Sequence, residues 1–231
     1  MARKGKAASG GGRMMWRVLG AALLLAIVAG AWGWWHLRHW TPERAIYPLQ
    51  GVEIGAVDGD VSWPALKAIG ADFAYIDASA SAFARDPGFV RNFEAAKAAG
   101  MQVGALHRYD PCQPAGTQAA NFVTTVPRDA RLLPAVELDM LADACPVKVS
   151  EARVESELMT FLNQVETHTG KPVILKVTPA FQSRYSIAHK LDRNLWLVQD
   201  RLEPGYAGRP WTMWTANHAL ANEVAQGGCA G

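Results

Sequence analysis

Apolar and polar positions divide this chain into one uninterrupted apolar run and a remainder in which short patterns alternate. From Val18 to Leu37 there is no Asp, Glu, Lys or Arg. A helix of that length, rising about 1.5 Å per residue, crosses a hydrocarbon layer of about 30 Å. Residues 38–50, with Pro42 and Pro48, read as a juxtamembrane linker. From Gly51 onward the pattern predicts strands at Gly51–Ile54, Asp72–Asp77, Met101–Tyr109, Leu132–Asp139 and Pro172–Val177. Leu195–Gln199 and Trp211–Thr215 give weaker strand patterns.

Helix punctuation fills the intervals. Asp86 and Pro87 suit an N-cap and first turn; Phe89, Phe93 and Ala96 then recur on one face, and Gly100 supplies the stop. Ser150 opens a longer helix that carries Val154, Leu158, Phe161, Leu162 and Val165 on one side and closes at Gly170. A third helix is predicted over Gln118–Val126, before Pro127. Strand and helix in alternation indicate an α/β fold with a parallel sheet covered by helices. Periodicity alone fits both an open doubly wound sheet and a closed (β/α) barrel; the placement of the acidic residues favours the barrel.

Half of the 231 residues are apolar, enough for a sizeable core. The formal charge of +2 is unevenly spread: Arg3, Lys4, Lys6, Arg13 and Arg17 crowd the start, and the rest of the chain is slightly acidic. Nothing in that balance calls for nucleic acid. The basic head instead reads as a topology signal, with residues 1–17 cytoplasmic, 18–37 spanning the membrane and the domain 51–231 outside, on the periplasmic side of an inner membrane. Trp16 at one end of the span, and Trp32, Trp34, Trp35 and Trp40 at the other, suit the interfaces. A cleaved signal peptide ending near Ala29-Gly30-Ala31 is the alternative, and it exports the domain equally. Three cysteines, Cys112, Cys145 and Cys229, leave one without an intrachain partner.

The candidate chemistry sits at strand ends, which share one mouth in a parallel barrel. Glu53 ends the first strand and Asp77 the second; His107 and Tyr109 end the third, and Glu137 and Asp139 the fourth. Residues i and i+2 of a strand point to one face with Cα atoms roughly 6–7 Å apart, so Glu137 and Asp139 form the sharpest pair. Two like charges that close divide their proton affinities, as acid–base work requires. The competing reading makes them structural acids paired with Arg108 or Lys176. There is no HExxH or HxH spacing, no cysteine ligand pattern, no phosphate loop and no GxSxG elbow, so neither metal nor cofactor is expected.

Several stretches together resemble the glycoside hydrolase family 25 lysozymes, muramidases of the bacterial and phage type. They are Gly51-Val52-Glu53-Ile54-Gly55, Asp58-Gly59-Asp60-Val61-Ser62-Trp63, Tyr75-Ile76-Asp77-Ala78-Ser79, Asp86-Pro87-Gly88-Phe89, Ala98 to His107, and Leu132 to Asp139. The resemblance runs in order over roughly residues 50–220 and implies an irregular, TIM-like (β/α) barrel. It departs at the chemistry. Glu53 stands for the family's Asp, Glu137-x-Asp139 inverts its Asp-x-Glu, and Asp77 replaces a Lys of the second strand. The fifth-strand pattern around Lys176 is poorly kept, and the last-strand Asp has no clear counterpart after Trp214.

The resemblance implies hydrolysis of the β-1,4 bond after N-acetylmuramic acid in peptidoglycan glycan strands, without a cofactor. By family position Asp139 is the acid, Glu137 its partner and Glu53 a supporting carboxylate. Asp77, His107, Tyr109 and Trp214 are the candidate substrate contacts. Because the third and fourth strands are neighbours in this fold, a Cys112–Cys145 disulfide is expected at the rim, with Cys229 free. Two alternatives stay open: a wall-binding or scaffolding protein without turnover, and a glycosidase for another glycan.

Overall fold

The computed structural model describes residues 10–220, so the expectation for Cys229 lies outside the described residues. The chain forms two compact units, Met1–Trp40 and Thr41–Gly231. In the first, helix α1 spans Gly10–Arg38. Its stretch from Met14 to Arg38 is long and apolar enough to cross a membrane. Leu23, Leu24, Leu25 and Ile27 lie bare along it, a surface that water disfavours. At its end Trp32 stacks on His36 and Trp35 on His39, while Arg38 lies 5.1 Å from the Trp34 ring centre.

The second unit runs β1 (Gly51–Ile54), α2 (Trp63–Ala68), β2 (Phe73–Ala80), β3 (Ala84–Arg85), α3 (Phe89–Ala98), β4 (Gln102–Arg108) and α4 (Ala115–Thr125). It continues with β5 (Ala135–Leu138), α5 (Glu151–Thr169), β6 (Ile174–Val177), α6 (Pro179–Tyr185), α7 (Ile187–Lys190), β7 (Leu195–Val198) and β8 (Met213–Thr215). Helix α5 has the predicted ends: the Ser150 hydroxyl accepts the Arg153 N–H, and Gly170 turns left-handed at φ +66°. Helix α3 starts later than Asp86 suggests, because that carboxylate is committed elsewhere. It accepts the N–H groups of Gly88 and Ala56, at 2.7 and 2.6 Å, and holds the loop after β1 against the α3 entrance. The short helices α2, α6 and α7 have no counterpart among the predicted elements.

The sheet order is β1-β2-β4-β5-β6-β7-β8, all parallel, with β3 antiparallel against β2. Strands β1 and β8 are the two ends of this path, so the expected barrel is a curled half-barrel with an open seam. Four strand spacings, about 19 Å in a flat sheet, separate β1 from β6. Yet Lys176 on β6 bonds Glu53 on β1 at 2.6 Å. The Tyr75 ring on β2 likewise reaches the Trp196 ring on β7 at 4.9 Å. Only a strongly curled sheet permits both.

Curling creates two apolar layers. Tyr75, Leu106, Ala135, Ile174 and Trp196 fill the concave side. The convex side packs Ile76, Ala105, Val136 and Leu175 under Phe93, Phe122, Leu158 and Phe161 of the helices. The concave side is tight: a Cβ on Gly104 would lie 2.5 Å from the Tyr75 ring, so glycine there makes room for the tyrosine.

Residues 41–50 are not a free linker. Arg44 bridges to Asp72 at 3.1 Å, and the Tyr47 ring packs against Trp211 and Trp214 with centroids 6.5 and 5.5 Å away. On the convex side His107 is fully buried. Its ring stacks on Phe161 and lies 2.8 Å from the Ser79 hydroxyl and 3.3 Å from Gln118 Oε1. Gln118 in turn fixes the rim, accepting the Asp110 N–H and donating to the Asp110 and Gln113 carbonyls. Cys112, whose N–H donates to Asp110, forms a disulfide with Cys145 across a separation of 33 residues.

Two outcomes follow for stability. Replacing Cys112 and Cys145 by serine lowers the unfolding free energy by about 3–4 kcal/mol, the loop-closure value for this span, as read by denaturant melts. Burial holds the His107 imidazole near a pKa of about 4, against 6.5 for a free histidine. The fold therefore excludes a proton that the unfolded chain binds between those values, and this contribution is full above 6.5 and drains as pH falls through 4. Against a His107→Gln variant, the parent loses on the order of 3 kcal/mol of relative stability between pH 7 and pH 4, measurable by parallel melts.

Candidate active site

Register builds the site as a layer. Across neighbouring strands Arg108 pairs with Glu137, Glu137 with Lys176, and Lys176 with Trp196. Register partners in a parallel sheet point to the same face, so these four side chains enter the concavity at one level. Glu53 from β1 and Asp77 from β2 meet them across the curl. Glu53, Glu137 and Lys176 are all buried, each at 7% exposure or less.

Lys176 is the hub. Its Nζ lies 2.7 and 2.6 Å from the two oxygens of Glu53 and 2.7 Å from Glu137 Oε1, with the Trp196 ring centre 5.0 Å away. Burial works to strip its proton, but the two carboxylates outweigh it and its pKa is raised. Arg108 makes the second clamp, donating from Nε and Nη2 to Asp77 Oδ2 at 3.2 and 2.9 Å, with Nε 3.5 Å from Glu137 Oε2. Burial lifts the Asp77 carboxyl to about 7; Arg108 pulls against that, while Glu53 and Glu137 push further up. With Asp77 protonated the two cations balance Glu53 and Glu137. Ionising it leaves one negative charge over.

Two carboxylate oxygens in this layer, Asp77 Oδ1 and Glu137 Oε2, are buried without a hydrogen-bond donor from the protein. Such groups are costly unless something polar reaches them. Gly55 makes the approach to Asp77 feasible, since a Cβ there would lie 2.6 Å from Asp77 Oδ2. Asp139 follows one residue after β5 and is exposed. The layer therefore offers fixed carboxylates at the bottom and an unburied one two residues further out on the same chain segment.

Of the residues singled out in the sequence, the structure brings Glu53, Asp77 and Glu137 together and leaves Asp139 bare beside them. The others lie elsewhere. His107 has the opposite parity to Arg108 and Leu106 and is sealed under α4 and α5, so it is a core histidine and cannot meet a substrate in the concavity. Tyr109 is 2% exposed, with its ring edge-on to Phe161 at 5.8 Å, and is likewise withdrawn. Trp214 alternates with Met213, which packs on the concave cluster. Its ring therefore turns to the convex side, toward Tyr47 and Trp211, and its Nε1 donates to the Gln199 carbonyl at 2.6 Å.

Arg108 and Lys176 were legible only as pairing partners for the acids, and the contribution of Trp196 was missed. The available signal was parity: Arg108 follows Leu106 by two residues and Lys176 follows Ile174 by two, as Glu137 follows Ala135, so all three point to the concave side. Removing the hub should be severe. Lys176→Met leaves the buried Glu53 unpaired and Glu137 with only its 3.5 Å contact to Arg108, and destabilises by about 3–5 kcal/mol. Adding Glu53→Gln recovers part of that loss, a coupling that a double-mutant cycle by denaturant melts reads directly.

A sequence profile described as "Glycosyl hydrolases family 25" matches residues 52–219. The chain is 27% identical over 198 residues to Lysozyme M1 of Streptomyces globisporus, covering 74% of this chain and 64% of that protein. It is 27% identical over 177 residues to the uncharacterized protein YegX of Escherichia coli K12, covering 74% and 63%. It thus spans less than two thirds of either relative. Among solved structures, a family 25 glycosyl hydrolase from Bacillus anthracis superposes with a TM-score of 0.74 at 26% identity, covering 84% of this chain and 90% of that one. The fold also matches a lysozyme from Streptomyces coelicolor, with a TM-score of 0.69 at 21% identity and coverage of 79% and 89%. With its profile match running through every strand that carries the acidic layer, the chain belongs to family 25 of the glycosyl hydrolases.

Proposed function

We propose that this protein is a lysozyme-like glycosidase that hydrolyses the β-1,4 linkage after N-acetylmuramic acid in peptidoglycan, held at a membrane by α1 with its domain outside the cytoplasm. The observation that carries the reading is the division between Glu137, buried and bonded to Lys176, and Asp139, unburied two residues on. Cleavage needs a proton for the leaving oxygen and negative charge beneath the ring that turns cationic. Asp139 has the accessibility to protonate the glycosidic oxygen, while Glu137, supported by Glu53, faces the developing positive charge. Water then adds at the anomeric carbon and returns a proton to the carboxylate, so the enzyme ends as it began. Asp77 Oδ1, lacking a protein donor, is placed to accept a hydrogen bond from a sugar hydroxyl or amide. The basic head before α1 supports a cytoplasmic N-terminus, and the Bacillus anthracis structure and Lysozyme M1 are the relatives that favour the chemistry.

One observation favours a second reading, wall binding without turnover. An ammonium bonded to both Glu53 and Glu137 cancels part of the negative charge that an oxocarbenium-like transition state requires. The two are separated by reducing-end release from purified peptidoglycan. Asp139→Asn should cut the rate by about 10²–10⁴-fold, the usual worth of a general acid, and Glu137→Gln by about 10²-fold or more. If the folded parent binds peptidoglycan and releases no reducing ends, binding without turnover is the correct account.

A further inference from the structure

A single exposed apolar side chain is ordinary on a protein surface, but Phe83 is presented by an unusual amount of fixed structure. It sits in the turn between β2 and β3 with 81% of its surface bare. Register pairs Ala80 with Ala84 on one side and Ala80 with Arg108 on the other, so the turn rises directly from the strand ends that carry the acidic layer. The preceding Ser81 is held at φ +51°, a backbone setting that costs a non-glycine residue about 1 kcal/mol or more. The turn is bolted down around it. Asn121, itself buried, donates to the carbonyls of Ser81 and Ala84 at 3.3 and 2.9 Å. Arg85 donates to Asn121 Oδ1 and Thr124 Oγ1 at 3.0 and 2.9 Å. The Ser81 hydroxyl donates to Asp110 at 3.0 Å, and its N–H to the Arg108 carbonyl at 3.0 Å.

An aromatic ring carried on a fixed turn at the lip of a carbohydrate cleft has a defined chemical complement, the C–H face of a pyranose ring. Stacking there orders only the two side-chain torsions of Phe83, since the backbone beneath it is already held. The strand from Asp77 to Ala80 covers about 10 Å, the reach of a short run of sugar units rather than of one. Val57, 86% exposed, crowns the neighbouring loop after β1, which Asp86 ties to the segment following β3. The rim here therefore offers apolar surface beside a concavity that is otherwise charged.

We infer that Phe83 is a distal glycan subsite, on which a sugar ring of a long strand stacks beyond the cleavage point. This rests on the proposed carbohydrate substrate and not on turnover. The site selects for chain length: a polymer reaches both the acidic layer and Phe83, whereas a short oligosaccharide at the acids does not.

Two measurements on the full chain decide it. In an Asp139→Asn background, co-sedimentation with insoluble peptidoglycan measures binding without turnover. Phe83→Ala weakens it roughly five- to tenfold, Phe83→Trp retains it, and Val90→Ala, a comparably bare apolar side chain on α3, leaves it unchanged. With catalytically intact protein, Phe83→Ala lowers the ratio of kcat/KM on polymeric glycan to that on a chromogenic aryl glycoside of one N-acetylmuramic acid unit, too short to reach Phe83 from the acids, by the same factor. Unchanged sedimentation of Phe83→Ala overturns the proposal and points to a protein or lipid partner for the rim. So does an equal loss on polymer and aryl glycoside, which makes the residue structural. If the parent shows no turnover at all, the glycosidase reading fails and the sedimentation series still decides the subsite.

Discussion

An ammonium group bonded to carboxylates from two distant strands is the constraint on which the site depends. Lys176 reaches Glu137 on the adjacent strand and Glu53 on the far side of the concavity, so the three ions fix how far the sheet curls as well as where the acids point. Taking three ions out of water costs several kcal/mol apiece, and only contacts as short as these offset it. A flatter sheet would separate Glu53 from Lys176, leaving Glu53 without its partner and the ammonium with Glu137 alone. The geometry of the backbone and the electrostatics of the concavity therefore stand or fall together. Trp196 beneath the ammonium and Arg108 beside it extend the same balance, with Asp77 as the member whose charge is closest to changing at neutral pH.

The two faces of the sheet are built on different rules. The convex face is dry and largely apolar, and His107 within it stays neutral because burial disfavours the imidazolium. The concave face begins as an apolar layer at Leu106, Ala135 and Ile174 and becomes charged one step toward the strand ends. The hydrogen-bond chain from His107 through Gln118 to Asp110 links the two, tying the rim loop that holds Cys112 to the helix-covered core. The rim is thus stiffened from within as well as by the disulfide.

Much of this was legible in the sequence because it is periodic. The strand runs, the capped helix after Ser150 and the gathering of Glu53, Asp77 and Glu137 at one end of the sheet all follow from alternation and punctuation. What was not legible depends on the third dimension. Closeness to the strand end points to the wrong side of the sheet for His107, Tyr109 and Trp214, because parity decides which face a strand residue takes. Residues 38–50 read as a linker because Pro42 and Pro48 suit one, yet Arg44 and Tyr47 within them have partners 26 and more positions away in sequence. The seam between β1 and β8 has no local signature, since sheet closure is a property of all the strands together.

Because Arg108, Glu137, Lys176 and Trp196 lie at one level on adjoining strands, a charge can migrate from one strand to another during divergence without leaving the concavity. In this chain the second strand contributes an aspartate, and the cations stand on the fourth and sixth. The electrostatics of the concavity depend on the sum over the layer rather than on the identity of any one position.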